Sequence, residues 1–335
     1  MFSHDEQERY LKQVALPEWG WASQERLKKS SLLVIGAGAL GSAALPYLVS
    51  GGVGQIGIAD GDLVERSNLH RQTLYSEADI GTLKVTAAIQ KLSFLNPHVE
   101  LIHYPFFMNE ENGSDLIKSY DLILDATDRF SSRLAIDAAC YAMQKPWIHA
   151  SLDRFTGQVI FFNRFRYTEL FPGLSDDLAI SCSVGGVLGP FAGVLGSLQA
   201  LQALQWLGGM GADLPGKWIR IDALTWRIET FTFGPLSSRK SISAGELKKW
   251  MQEKRDFLLV DIRTPEEREK GHIGGITVSS LDEIPLGRDI VLYCQTGVRS
   301  ALAVARLQER GLSAYSLEGG IQFFSPAVVP KQKLH

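Results

Sequence analysis

The chain has 335 residues, of which 45% are hydrophobic and 21% charged, with a net charge of −3. That length points to two domains, and the mild acidity lacks the clustered Lys and Arg that nucleic acid requires, so no such partner is expected. Three scattered cysteines, Cys140, Cys182 and Cys294, argue against a disulfide framework and suit a reducing cytoplasm.

The opening "MFSHDEQERYLKQ" carries acids where a secretory leader needs a basic start and an apolar run. From Ser31 short apolar runs alternate with helical ones. "SLLVIGA" reads as a buried strand, "ALGSAALPYLVSGG" as a helix with Pro46 inside it, and "QIGIAD" as the next strand. "TLKVTAAIQKLSFL" is a helix stopped by Asn96-Pro97, followed by the strands "VELIHY" and "YDLILDAT". The helix "SSRLAIDAACYAMQK" and the strand "PWIHAS" complete a pattern that implies crossover connections and a mostly parallel, doubly wound, Rossmann-like α/β sheet.

After Ser151 the texture changes to "GQVIFFN", "KWIRIDAL" and "RIETFTF", an antiparallel extension around one long apolar helix. No charged residue stands between Asp177 and Asp213. Gln199, Gln202 and Gln205 nevertheless recur every third residue, and Pro190 and several glycines interrupt the segment, so a buried or subunit-contacting helix is expected and a membrane span is not. "GPLSSRKS" is a polar, Pro/Gly-punctuated connector, beyond which "DFLLVDIR", "DIVLYC", "SALAVARLQERG" and "SAYSLEGG" form a second, smaller α/β unit. We therefore read residues 1–235 as one domain, 236–241 as a linker and 242–330 as another.

"GAGALG" follows a strand and opens a helix, so Gly36, Gly38, Ala39 and Gly41 let the backbone approach a phosphate at a helix N-terminus. Asp60 ends the next strand, placed to accept from a ribose. These features alone fit an NAD-dependent dehydrogenase as well as an ATP site. Arg71, Gln72 and Lys84 close behind the ribose acid favour ATP, because attack at a phosphate builds negative charge that fixed cations offset. Asp128 in "DATDR" lies at the C-terminal end of a central strand, where a carboxylate suits magnesium beside the phosphates.

Through "ERYLKQ", "GAGALG", "IADGD", "SNLHRQ", "GTLK", "ATDR", "SCSVGGVLGP" and "GSLQALQAL", the first ~235 residues resemble the MoeB/ThiF adenylating enzymes, relatives of ubiquitin-activating enzymes. The resemblance implies ATP with Mg2+ and, as partner, a small ubiquitin-fold sulfur carrier ending in Gly-Gly, whose carboxylate is adenylated. It places Arg9, Lys12, Ala39, Asp60, Ser67, Asn68, Leu69, His70, Arg71, Gln72, Lys84, Asp128 and Arg129 at or near the nucleotide, and it implies a homodimer. This chain departs from the family at Ala39 (usually Gly), Lys12 (usually Arg) and Arg129 (usually Asn). Lys12 keeps the charge and loses the bidentate fork; Arg129 either adds a phosphate contact or crowds the site. The family commonly holds zinc on two Cys-x-x-Cys pairs; this chain has neither, so no zinc is expected.

Cys140, on a helical pattern among Ala, Ile and Met, reads as core filler. By the resemblance, Cys182 in "AISCSVGG" stands where many family members carry a cysteine able to form a covalent link to the carrier; the alternative is a bystander thiol. Cys294 in "CQTGVR" joins a strand to a helix, so loop amides, the helix dipole and Arg299 converge on its sulfur. With "VDIRTPEE", "GHIGG" and "LEGGIQFF", the last ~95 residues resemble a single rhodanese domain, whose loop cysteine carries sulfane sulfur. Asp261 and Arg263 are expected to brace this loop. A Cys-based phosphatase is the rival, but its usual Cys-x5-Arg spacing is one residue longer than the spacing here. Together the halves imply adenylation of the carrier, attack by a Cys294 persulfide and release of a thiocarboxylate, with a cysteine desulfurase as the expected sulfur source. A dehydrogenase leaves the "SNLHRQ" segment and the second domain unexplained; a carrier-docking scaffold without catalysis is the other alternative.

Overall fold

The computed structural model describes residues 2–171, 186–233, 240–269, 271–278, 280–285, 287–295 and 297–324. The chain divides into two units, Met1–Tyr167 with Ser175–Phe231 and Thr168–Leu174 with Thr232–His335.

In the first unit α1 (His4–Val14) starts on a capping box in which Ser3 and Glu6 satisfy each other's backbone N–H groups, and α2 (Gly20–Lys29) leads into the sheet. The strands are β1 (Ser31–Ile35), β2 (Gln55–Ala59), β3 (Glu100–Tyr104), β4 (Leu122–Asp125), β5 (Trp147–Asp153), β6 (Thr156–Phe162), β7 (Lys217–Asp222) and β8 (Arg227–Thr232). Their order in the sheet is β3-β2-β1-β4-β5-β6-β7-β8. The first five pair in parallel, and β6 turns back antiparallel on both β5 and β7. The connections leave β1 in one direction and β4 in the other, so a crevice opens between the carboxyl ends of these two strands. β1 and β4 are apolar and almost wholly buried, as near-continuous runs in a two-faced parallel sheet require.

The helices of this unit are α3 (Ala39–Gly51), α4 (Lys84–Leu95), α5 (Glu110–Ile117), α6 (Phe130–Met143) and α7 (Gly189–Leu207). α3 packs against α7 so closely that a Cβ on Gly196 would lie 2.4 Å from the Leu40 carbonyl oxygen. The glutamine stripe of α7 faces inward: Gln199 and Gln202 are buried, and Gln199 Nε2 donates to the carbonyls of Asp125 at 2.8 Å and Ile148 at 3.2 Å. Val194 and Leu201 are left exposed on the same helix, the reverse of a helix with a solvent-facing polar stripe. No helix among the described residues is long and apolar enough to cross a membrane. Cys140 is buried on α6, and burial drives its thiol well above the ordinary range, as a core residue.

The second unit has an all-parallel sheet, order β11-β10-β12-β13-β9, built from β9 (Ser241–Ile242), β10 (Phe257–Asp261), β11 (Ile276–Thr277), β12 (Asp289–Tyr293) and β13 (Ala314–Leu317). Ser241, the last residue assigned to the connector from sequence, is already paired in the edge strand. The helices are α8 (Ala244–Gln252), the short α9 (Pro265–Glu269) and α10 (Val298–Glu309). One apolar cluster gathers Ile242, Leu247, Trp250 and Tyr293, and another gathers Val260, Leu292, Val304 and Leu307.

Candidate functional site

The glycine loop fills the crevice of the first sheet. Gly36 takes φ +98°, and a Cβ there would stand 2.6 Å from the Ala126 carbonyl oxygen, so only glycine allows the loops after β1 and β4 to meet. Gly41 is equally constrained, its Cβ position 2.0 Å from the Gly36 oxygen. Gly38 is the N-cap of α3 and offers no side-chain cap; Ala39 is the first helical residue. The first-turn N–H groups therefore have no intrahelical acceptor and no capping oxygen, which is the make-up of an anion site.

Asp60 buttresses this loop. Its Oδ2 accepts from the Ala37 N–H at 2.7 Å and its Oδ1 from the Asp62 N–H at 2.8 Å. Burial lifts its carboxyl above the usual range, against the pull of Lys84 and of those two amides. Tyr75, not singled out from the sequence, holds the same loop by donating its hydroxyl to the Ala37 carbonyl at 2.8 Å. Gln72 is buried with its Nε2 3.8 Å from the Cβ position of Gly38, and its Oε1 has no partner among the described residues. A buried acceptor left open beside an uncapped helix suits a ligand bringing hydrogen-bond donors, such as a nucleoside.

The segment from Ser67 to Arg71 lies against the start of α7, where a Cβ on Gly189 would meet the His70 carbonyl at 2.5 Å. Asn68 is buried and its Oδ1 accepts from Glu65 N–H at 3.2 Å, while Leu69 packs on the core. His70 Nδ1 and Arg71 Nη1 both lie on the Ser67 carbonyl, at 3.0 and 2.8 Å. Lys84 opens α4, buried, with its Nζ 3.0 Å from Asp62 Oδ2. Asp62 also faces Arg129 Nη2 at 3.6 Å, and the Arg129 guanidinium lies 3.7 Å from the centre of the Phe107 ring. Asp128 is exposed on the loop after β4. One carboxylate beside an anion cradle fits Mg2+ carried in on phosphate oxygens, since that ion takes few protein ligands.

Arg9 and Lys12 are not brought to this crevice by their own chain. Between them Tyr10 docks where α3 ends, its ring occupying the Cβ position of Gly52 and its hydroxyl accepting from Asn96 Nδ2 at 2.9 Å. α3 separates that point from the glycine loop by roughly 20 Å at 1.5 Å per residue. Arg9 Nη1 donates instead to the Leu95 carbonyl at 2.9 Å.

Behind Asp128 lies a buried hydrogen-bonded cluster that the sequence reading missed. Asp125 accepts from Thr127 N–H and Oγ1 through Oδ1, and from His149 Nδ1 at 2.7 Å through Oδ2, with Arg133 Nε 3.4 Å away. Burial raises the Asp125 carboxyl, but the His149 hydrogen bond and the Arg133 charge outweigh it and hold it below its usual range. His149 is driven down to about 4, first by burial and then by Arg133, so it stands neutral and donates to Asp125. Its Nε2 faces Ser151 Oγ at 3.2 Å. Aspartate, histidine and serine were legible as residue types, but only the pairing of β4 with β5 makes them neighbours.

In the second unit Cys294 follows β12. Gly297, at φ +87°, caps α10 and donates its N–H to Cys294 Sγ at 3.1 Å; Ser300 Oγ lies 3.6 Å from the same sulfur. The residue is fully buried, because the Gly319–Gly320 turn closes on the loop and the Ile321 N–H bonds the Cys294 carbonyl at 2.9 Å. Arg299, in the first turn of α10, bonds Glu267 Oε1 through Nη2 at 2.5 Å. Arg263 pairs with Asp261 through Nη2 at 2.8 Å and donates to the carbonyls of Glu267 and Gly271. This pair braces the loop after β10, not the cysteine loop directly. Cys182 lies outside the described residues.

Residues 10–241 match the ThiF family and residues 243–326 a rhodanese-like domain. The chain is 32% identical to the probable adenylyltransferase/sulfurtransferase MoeZ of Mycobacterium tuberculosis, across 99% of this chain and 96% of that protein. It is 40% identical to the sulfur carrier protein adenylyltransferase of Thermus thermophilus, across 67% of this chain and 86% of that one. The adenylyltransferase and sulfurtransferase MOCS3-1 of Zea mays is 31% identical, across 96% and 82%. Among solved structures, E. coli MccB with ATP superposes with a TM-score of 0.59 over 68% of this chain and 73% of that one at 22% identity, a likeness of fold.

Proposed function

The chain belongs to the ThiF family and ends in a rhodanese-like domain, and from that premise we propose that it adenylates the C-terminal glycine of a small ubiquitin-like sulfur carrier with ATP and then converts it to a thiocarboxylate. The observation that carries the reading is the uncapped N-terminus of α3 with the Gln72 Oε1, unpartnered among the described residues, beside it, in the same chain as a cysteine held by a Gly297 amide.

In this scheme the α3 amides bind phosphate oxygens and Asp60 holds the glycine loop to shape while its remaining lone pairs accept from the ribose. Lys84, released from Asp62, and Arg71 offset charge on the phosphates. Asp128, with the phosphate oxygens, would hold Mg2+, which when bound supplies further charge neutralisation. The carrier carboxylate attacks the α-phosphorus and pyrophosphate departs. The terminal sulfur of a Cys294 persulfide then attacks the acyl carbon and AMP leaves with the bonding pair. A thiolate, for which Cys182 is the candidate, attacks the Cys294 sulfur of the acyl persulfide; a disulfide forms and the carrier departs as its thiocarboxylate, with an external thiol resetting the disulfide. The burial of Cys294 suits storage of a hydrolysable sulfur species, and the loop must open when sulfur moves on.

Arg9 and Lys12 lie away from the crevice of their own chain, and Val194, Leu201 and Tyr47 are exposed apolar residues on the packed pair α7 and α3. Both observations support a homodimer. The cysteine usage supports a cytoplasmic setting, and the donor expected for this chemistry is a cysteine desulfurase.

Carrier-dependent ATP–pyrophosphate exchange tests the first half, and mass analysis of the carrier tests the second. Cys294→Ala should abolish thiocarboxylate and leave exchange within about twofold of wild type. Loss of both activities in a folded variant would refute the division of labour.

A further inference from the structure

Glu267 is fixed from both sides at the mouth of the cysteine loop. Its Oε2 accepts from the Thr264 N–H at 2.9 Å, closing the start of α9, and its carbonyl accepts from Arg263 Nη1 at 3.1 Å. Its other oxygen, Oε1, takes Arg299 Nη2 at 2.5 Å. Arg299, in the first turn of the helix whose N-cap Gly297 donates to the Cys294 sulfur, is therefore held by a carboxylate that cannot swing away. The two partners reinforce each other: the Arg299 hydrogen bond holds the Glu267 carboxyl below its usual range, and Glu267 raises the guanidinium.

The other cations of this neighbourhood are also committed. Arg263 is paired with Asp261, and Arg268 gives both Nε and Nη2 to the Arg263 carbonyl, at 2.8 and 2.6 Å. Among the described residues, Arg299 and Arg263 thus each face a carboxylate, while Arg268 is tied to a neutral carbonyl that leaves its charge in place. Thiosulfate brings two negative charges to such a mouth, while a persulfide on a thiol brings one or none. A fixed carboxylate penalises the dianion about twice as strongly as the monoanion, and the cation that would offset it is engaged.

We propose that Glu267 is a specificity-determining residue: by holding Arg299 it turns away dianionic sulfane donors, so that Cys294 takes its sulfur from a thiol-borne persulfide. This rests on the reading of Cys294 as the sulfur carrier. In the loading step the Cys294 thiolate attacks the outer sulfur of R–S–SH. The new S–S bond forms as the donor's breaks, and the electron pair leaves with R–S−, the transferred sulfur keeping its proton.

The test uses the full chain with thiosulfate and the persulfide of 2-mercaptoethanol, an uncharged thiol, as donors and cyanide as acceptor. Wild type should favour the persulfide in kcat/KM. Glu267→Gln should shift that ratio at least about tenfold toward thiosulfate, through a lower thiosulfate KM, whereas Glu267→Asp, which keeps the charge, should stay near wild type. Should Glu267→Gln fail to fold, raising salt on wild type from about 50 to about 500 mM should move the ratio in the same direction by screening the carboxylate. A wild-type preference for thiosulfate, an unchanged ratio in folded Glu267→Gln, or a salt shift toward the persulfide would overturn the inference. If neither donor adds sulfur to wild-type Cys294, it is the sulfur-carrier reading that fails.

Discussion

Asp62 shows how far a residue type can be read before its neighbours are known. "IADGD" contains two aspartates, and the sequence pattern marks Asp60; in the fold Asp60 supports the loop while Asp62 ties up Lys84 and faces Arg129. Arg129, a departure from the family, has its guanidinium stacked over Phe107, beyond the end of β3. His149 carries a prediction of its own. An ordinary histidine titrates near 6.5, and this one near 4. Between those values the unfolded chain binds the extra proton, so the folded state loses stability as pH falls through the window. Urea unfolding at pH 7 and pH 5 should show wild type losing about 2 kcal/mol more than His149→Gln. Equal losses would mean that His149 is not buried neutral. Asp125, held low, adds its own loss only at lower pH.

At the scale of elements, the long charge-free helix is the instructive case. Its composition allows a bilayer, a subunit face or a core, and spacing alone does not say which way its glutamines point. The answer comes from the carbonyls of Asp125 and Ile148, which need donors at the crevice end of the sheet and receive them from Gln199. The glycines of this helix also differ in ways that periodicity hides. A Cβ on Gly196 would meet Leu40 O at 2.4 Å and Ala43 Cβ at 3.0 Å, while one on Gly193 meets nothing within 4 Å. Gly196→Ala should therefore cost about 1–3 kcal/mol and, because Leu40 lies in the first turn of α3, weaken ATP binding as well. Gly193→Ala should be neutral or stabilising by up to about 1 kcal/mol. Thermal melts with and without ATP check both; equal behaviour of the pair would disprove the close α3–α7 contact.

For the whole molecule, the two units correspond to two kinds of chemistry, and the family's zinc ligands are missing from the sequence. Where the first ligand pair would begin, Asp137 accepts from Arg166 Nε at 3.1 Å and from the Tyr167 N–H at 2.5 Å. Purified, chelator-washed protein should contain well under one zinc per chain and melt at the same temperature before and after chelation. A stoichiometric metal would reverse this reading. The sequence by itself determined both sheets, the glycine loop and the cysteine loop, because strand and helix periods, glycine conformations and ordered motifs are local properties of the chain. Only the tertiary structure decided which acid props the loop, that Arg9 lies far from it, that His149 is hydrogen-bonded to Asp125, and that Glu267 holds Arg299. Those relations join residues distant in sequence, and they exist only once strand order and helix packing have fixed who stands beside whom.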